Sequence, residues 1–249
     1  MYRKAVRGFV DLHCHWIAGI DDGARSPEEG IRMLQGLRAV GFDHVMATPH
    51  MRPGMFDNDK SDLEAAFAAM SPHLAARDDL PSVSLASEHF FDDVVFSRLV
   101  AGAGLPYPLE AAARGKKRGV LVELHPQTFP ARLQNRLFDL ARAGLRVVVA
   151  HPERYQPVWK DDAVLDAMFD AGALLLLDVC ALVGKYGRTA EKTARKLLDE
   201  GAYEAACSDA HRPEDADRTG LAIEALERAV GKGEVERLLG SAPRALLGR

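Results

Sequence analysis

The sequence predicts an α/β protein, a closed or nearly closed (β/α) barrel of seven units. Three observations lead there. Seven short apolar runs recur along the 249 residues, at 8–12, 44–47, 83–86, 119–122, 146–150, 173–177 and 203–207. Each is rich in Val, Ile, Leu or Ala without clean polar alternation, as parallel strands covered on both faces are. Amphipathic stretches separate the runs, so a strand–helix unit recurs roughly every 30 residues, which suits βαβ connections. Finally, the unusual polar residues fall just after the apolar runs, at the end where such barrels carry their active sites.

The elements follow in order. The first run leads into His13-Cys14-His15 and a turn, Asp21-Asp22-Gly23. The first helix is marked by Ser26 as N-cap, Pro27 at its first position and Glu29 completing Ser-x-x-Glu. Ile31, Leu34 and Leu37 form its apolar stripe and Gly41 ends it. Ser61-x-x-Glu64 starts a second helix, with Phe67 and Met70 on its inner face. Helices over 132–143, 161–171 and 189–200 stop at Gly144, Gly172 and Gly201. A last helix covers 219–230, and a short tail helix covers 234–239.

Composition narrows the function classes. A hydrophobic fraction of 47% suits a globular protein, and a net charge of -4 gives no basic footprint for nucleic acid. Cys14, Cys180 and Cys207 are too few for a disulfide framework, which points to a reducing cytoplasm. No apolar stretch approaches the roughly 18 residues of a membrane span. No linker or low-complexity segment interrupts the chain, so 1–249 reads as a single domain.

The strand ends carry the chemistry. His13 and His15 are two residues apart on an extended strand and share a face. Thr48-Pro49-His50, Ser87-Glu88-His89, Glu123-Leu124-His125, His151-Pro152-Glu153-Arg154, Asp178 and Ser208-Asp209-Ala210-His211 close the later strands. One strand-end His is ordinarily a polar loop residue. Together, these groups would converge on a small volume, and that much carboxylate and imidazole needs cations to pair it. Mixed nitrogen and oxygen donors suit Zn, Mn or Fe, so a multinuclear metal site is expected. A phosphocysteine mechanism needs Cys-x5-Arg, but the sixth residues after the cysteines are Ile20, Tyr186 and Pro213. Cys14 reads as a packed apolar residue. His44, His73 (in a loop), His89 and His125 read as structural, and Arg114, Lys116, Lys117 and Arg118 as a solvated turn that could alternatively take an acidic phosphopeptide.

These motifs together resemble the polymerase-and-histidinol-phosphatase (PHP) family. The resemblance runs over about residues 8 to 247. Gly19-Ile20-Asp21-Asp22-Gly23-Ala24, Arg52-Pro53-Gly54-Met55-Phe56, Ala150-His151-Pro152-Glu153-Arg154-Tyr155 and Leu182-Val183-Gly184-Lys185-Tyr186-Gly187 are similar to the bacterial tyrosine-protein phosphatases of capsule and exopolysaccharide operons. The resemblance implies a distorted (β/α)7 barrel of the PHP type, a single metallophosphatase domain over 1–249, holding three metal ions. Manganese is the usual metal, with iron or zinc as variants. It implies His13, His15, Glu123 and Asp209 around one ion, with Glu123 bridging to a second held by His50 and His151. Asp22, Glu88 and His211 would complete a third. The implied reaction is attack of a metal-bridging hydroxide on the phosphorus of phosphotyrosine. Arg154 would clamp the phosphoryl oxygens, unless it pairs with Glu153 or Asp162, and Arg52 and Arg212 are further candidates. Asp209 or His211 would protonate the leaving tyrosyl oxygen. The implied partner is a bacterial tyrosine kinase. Hydrolysis of a small ester such as histidinol phosphate, or a non-catalytic binding role, are the alternatives. Cys14 inside His-x-His, Asp178 and Ala181 depart from the usual subgroup pattern.

Overall fold

Each apolar run becomes one stave of a ring in a computed structural model that describes residues 8–249 apart from Ala76 and Arg114. The staves are β1 (Phe9–Asp11), β2 (Phe42–Ala47) prolonged by β3 (His50–Met51), β4 (Ser82–Leu85) prolonged by β5 (Glu88–Phe90), β6 (Arg118–Glu123), β7 (Leu145–Ala150), β8 (Leu174–Asp178) and β9 (Tyr203–Cys207). All pairings are parallel, in the orders β1-β2-β4 and β3-β5-β6-β7-β8-β9. The short strands β3 and β5 lie beyond the predicted runs. Thr48-Pro49 separates β2 from β3 because proline cannot donate to the ladder, and Ala86-Ser87 separates β4 from β5 at the same level.

The seam between β9 and β1 closes past the strand ends. Asp209 N donates to His13 O at 3.0 Å, and His15 N donates to Ala210 O at 2.9 Å. Just below, Ser208 N and Oγ donate to the two oxygens of buried Asp11, at 3.0 and 2.5 Å. The barrel is therefore distorted: two staves are bent and one seam is held by loop backbone and a carboxylate.

Alternate strand residues separate into two layers. Val10, Leu12, Met46, Leu121, Val148, Leu176 and Ala205 belong to an inner cluster. Phe9, Val45, Val120, Val122, Val147, Val149, Leu175 and Leu177 belong to the layer beneath the helices. Burial of both faces explains why the runs lack polar alternation.

The helices around the ring are α1 (Pro27–Val40), α2 (Lys60–Leu74), α3 (Asp93–Val100), α4 (Leu133–Arg142), α5 (Gln156–Lys160), α6 (Asp166–Asp170), α7 (Gly187–Asp199), α8 (Pro213–Glu236) and α9 (Ala242–Leu246). Ser26 caps α1 as expected. Glu29, however, does not close a capping box; its carboxylate takes Arg25 N at 2.9 Å and the Arg25 guanidinium. The cap of α2 is Asp59, boxed with Asp62, two residues before the predicted Ser61. His73 lies on α2 and not in a loop. The stretch 161–171 is a 3-10 turn, Asp162–Leu165, followed by α6; Asp161 is extended and caps the turn by accepting from Ala163 N. Helix α3, capped by Asp92, was not predicted. Helix α8 begins at Pro213, earlier than expected, and bends at Gly231, φ 81°. No helix among the described residues is long and apolar enough to cross a membrane.

Candidate metal centre

Nine side chains from the C-terminal ends of the staves meet in one cluster. Their ligand atoms form four overlapping groups: His15, Asp22, His50 and His211; His13, His15 and Glu88; His13, His151 and Asp209; and His50, Glu88 and Glu123. Together these are the nine residues expected as ligands.

The chain fixes each of them locally. His13 and His15 share a face of the extended segment after β1, with their Nε2 atoms 3.5 Å apart. Thr48 Oγ1 lies 3.1 Å from His13 Nδ1, and Asp21 Oδ2 lies 2.7 Å from His15 Nδ1. With Nδ1 engaged, both rings present Nε2 inward. Asp21 also accepts from His50 N at 3.1 Å and Gly23 N at 2.8 Å, so one buried carboxylate sets two of the imidazoles. Its neighbour Asp22 is the exposed member, 3.5 Å from His50 Nε2 and 3.4 Å from His211 Nε2.

Glu88, opening β5, is the hub. Its carboxylate lies 3.6 Å from His13, 3.4 Å from His15, 3.2 Å from His50 and 3.1 Å from His151. The sharing implied by the family resemblance gave this central place to Glu123. Glu123 sits instead toward the rim, 4.0 Å from His50 and 3.6 Å from Arg52. His151 and Asp209 adopt left-handed backbone, φ 36° and 45°. Non-glycine residues avoid that region, and such strain concentrates at functional sites.

The electrostatics match a site for cations. Burial would raise the carboxyl pKa of Glu88, yet His13 and His50 hold it well below the usual range. Asp209 is depressed in the same way by His13 and His211, against its own burial. Glu123, buried beside Glu88, is pushed up to about 7. His151 is pushed down to about 4 by burial and Arg154. His50 Nδ1, Glu123 Oε2, His151 Nδ1 and Asp209 Oδ1 are buried without a well-formed hydrogen bond. Buried polar atoms in that condition call for a partner. Four carboxylates and five imidazoles with orphaned lone pairs fit divalent metal ions of the Mn, Fe or Zn type.

Two arginines reach this cluster. Arg154 Nη1 donates to Asp209 Oδ2 at 2.6 Å, and neither Glu153 nor Asp162 pairs with it. Arg52 approaches Glu123 from the other side. Arg212 is used differently: its Nη1 donates to the carbonyls of Asp22, Gly23 and His211 and props the Asp22 turn.

The remaining histidines and cysteines stay out. His89 bonds Leu121 O and Leu105 N in the interior, His44 faces Ser82, and His125 bonds within its own exposed loop. All three thiols are free and buried, and burial pushes each far from thiolate. Of the basic turn, Lys116, Lys117 and Arg118 lie at the opposite pole of the barrel, beside the start of β6, and Arg114 lies outside the described residues. Sequence reasoning named Asp21, Thr48 and Glu153 without giving them a role at the site. All three lie inside motifs that were recognised. Glu153 turns inward, accepting from Asp178 N and Tyr203 OH, both at 3.0 Å, and so anchors the turn that bears His151 and Arg154.

A family model described as "Capsular polysaccharide synthesis, CpsB/CapC" matches residues 9–248, a span that contains all nine clustered side chains. The chain belongs to the CpsB/CapC family. Among relatives, the tyrosine-protein phosphatase YwqE of Bacillus subtilis is 23% identical over 229 residues, covering 89% of this chain and 85% of YwqE. The tyrosine-protein phosphatase CpsB of Streptococcus pneumoniae is 24% identical over 216 residues, 81% of this chain and 82% of CpsB. A crystal structure from work on YwqE and CpsB, described as unique metal-dependent tyrosine phosphatases, superposes with a TM-score of 0.83 at 23% identity, covering 96% of this chain and 95% of that one. The phosphotriesterase homology protein of Escherichia coli shares the fold more loosely, with a TM-score of 0.57 at 13% identity over 96% of this chain and 98% of its own.

Proposed function

We propose that this chain is a metal-dependent protein-tyrosine phosphatase, a phosphoric monoester hydrolase of capsule or exopolysaccharide regulation. The observation that carries the reading is the convergence of nine nitrogen and oxygen donors with Arg52 and Arg154 at one end of the barrel. The names of its CpsB/CapC relatives support tyrosyl phosphate as the substrate. His13, His15, Asp22, His50, Glu88, Glu123, His151, Asp209 and His211 would hold three ions, manganese foremost. When bound, these ions supply Lewis-acid charge and lower the pKa of water.

The chain's own residues do the rest. Arg154 and Arg52 bind the phosphoryl oxygens with guanidinium edges and orient the phosphorus. Thr48 and Asp21 fix the tautomers of His13 and His15. His13 and His211 hold the Asp209 carboxyl well below the usual range, which argues against it as the proton donor. His211 is partly exposed at the mouth, but it stands among the nine donors, and an imidazole that ligates an ion has no proton for the leaving tyrosyl oxygen, so the two roles exclude each other. The substrate would be a cytoplasmic phosphotyrosine protein, in the first instance a bacterial tyrosine kinase.

The test is dephosphorylation of a phosphotyrosine peptide against histidinol phosphate, by protein stripped of metal and then restored with manganese. Peptide turnover that depends on manganese, and falls at least 100-fold in His13→Ala, is expected. Turnover of histidinol phosphate alone would sink the protein-phosphatase reading.

A further inference from the structure

The two arginines at the cluster share a construction that metal binding does not require. Each guanidinium lies on an aromatic ring: Arg52 is 4.1 Å from the centroid of Phe90, and Arg154 is 4.5 Å from that of Tyr186. Strand register produces the first pair. His50 pairs with Glu88 and Met51 with His89, so Arg52 follows opposite Phe90, which pairs in turn with Glu123. A turn produces the second. After β8 a 3-10 turn, Val179–Val183, ends at Gly184, φ 77°, and the chain reverses again at Gly187, φ 85°. Between these glycines, Tyr186 is set beside the turn that carries Arg154. Lys185 is held there by Asp215, 3.3 Å away.

We infer that Phe90 and Tyr186 are positioning residues, platforms that hold Arg52 and Arg154 with their donor edges turned to the phosphoryl group. A guanidinium stacked on a ring keeps its N–H bonds in the plane, directed past the ring edge. Arg154 uses Nη1 on Asp209, and among the described residues its Nε and Nη2 donate to no protein group. Among the described residues, the carboxylate nearest the Arg52 guanidinium is Glu123, at 3.6 Å. Two edges from opposite sides therefore remain for phosphate oxygens. Arg212 has no ring beneath it among the described residues and spends Nη1 on carbonyls, which separates it from this pair. The platforms matter because an unsupported arginine loses rotamer freedom on binding, whereas a stacked one has already lost it.

This inference rests on the site being phosphoryl-binding, and the experiment separates the two. In the manganese-loaded protein, kcat/KM for a phosphotyrosine peptide, the Kd of inorganic phosphate by calorimetry, bound metal and Tm are measured for R52A, R154A, Y186L, Y186F, F90L and F90W. Y186L and F90L should weaken phosphate binding and lower kcat/KM about tenfold, with metal content unchanged. Y186F and F90W should stay within about twofold of the parent, because the ring and not a hydroxyl is the platform. The inference is overturned if Y186L and F90L bind phosphate like the parent while R154A does not, or if Y186F falls as far as Y186L. If no phosphotyrosine is turned over but phosphate affinity still follows this pattern, the clamp stands and the phosphatase reading falls.

Discussion

At the level of single residues, the site is built by pairs in which one member shows in the sequence and the other does not. Asp22 belongs to the cluster, but its neighbour Asp21 orients His15 and takes the amide of His50. Asp21→Asn, which keeps the shape and removes the charge, should weaken manganese binding 10- to 100-fold while the fold persists. Competition with a metal-sensitive dye checks this; an unchanged affinity would remove Asp21 from the argument. His44 gives a pH prediction away from the cluster. Burial first, and then Arg249 and Arg244, push its pKa down to about 4. It is neutral in the fold, so the unfolded chain takes up the proton first as pH falls. Its contribution is complete above pH 6.5 and is lost between about 6.5 and 4. His44→Gln should flatten that limb by about 2 kcal/mol in denaturant titrations; an unaltered limb would assign the acid sensitivity elsewhere.

Among the elements, α1 shows packing overruling propensity. Gly36 lies inside the helix, where alanine would ordinarily gain about 1 kcal/mol. A Cβ there would come within 2.5 Å of the Ala216 Cβ on α8. Gly36→Ala should therefore destabilise by about 1–2 kcal/mol, by forcing the two helices apart. A higher Tm in this variant would show that the contact yields. The strand runs were legible because burial on both faces leaves an unbroken apolar signature. The breaks in the staves were not, since nothing local distinguishes a strand that continues past Thr48-Pro49 from one that ends there. For the same reason 161–171 reads as one helix, although it opens as a 3-10 turn capped by Asp161.

Across the whole molecule, the ring concentrates charge at one end and closes its last seam there. Asp11 holds Ser208 next to Asp209, so an ion held by His13 and Asp209 would bear on the seam that closes the barrel. Chelation should lower Tm by several degrees and manganese should restore it, because ions that bind only the folded ring stabilise it by mass action. A Tm indifferent to chelator would mean that the cluster needs no cation.

The sequence by itself determined the seven staves, their order and the nine polar residues at their ends. The staves follow from a local rule, that apolar runs bury; the choice of those nine among the polar residues near the strand ends followed from the resemblance to the PHP family. Only the tertiary structure decided that Glu88 is the hub and Glu123 the rim. It also decided that Arg52 and Arg154 face the cluster while Arg212 serves a backbone turn, and that Thr48, Asp21 and Glu153 hold the others in place. Each of those outcomes depends on the distance between side chains from different staves, which ring closure sets and no spacing along the chain encodes.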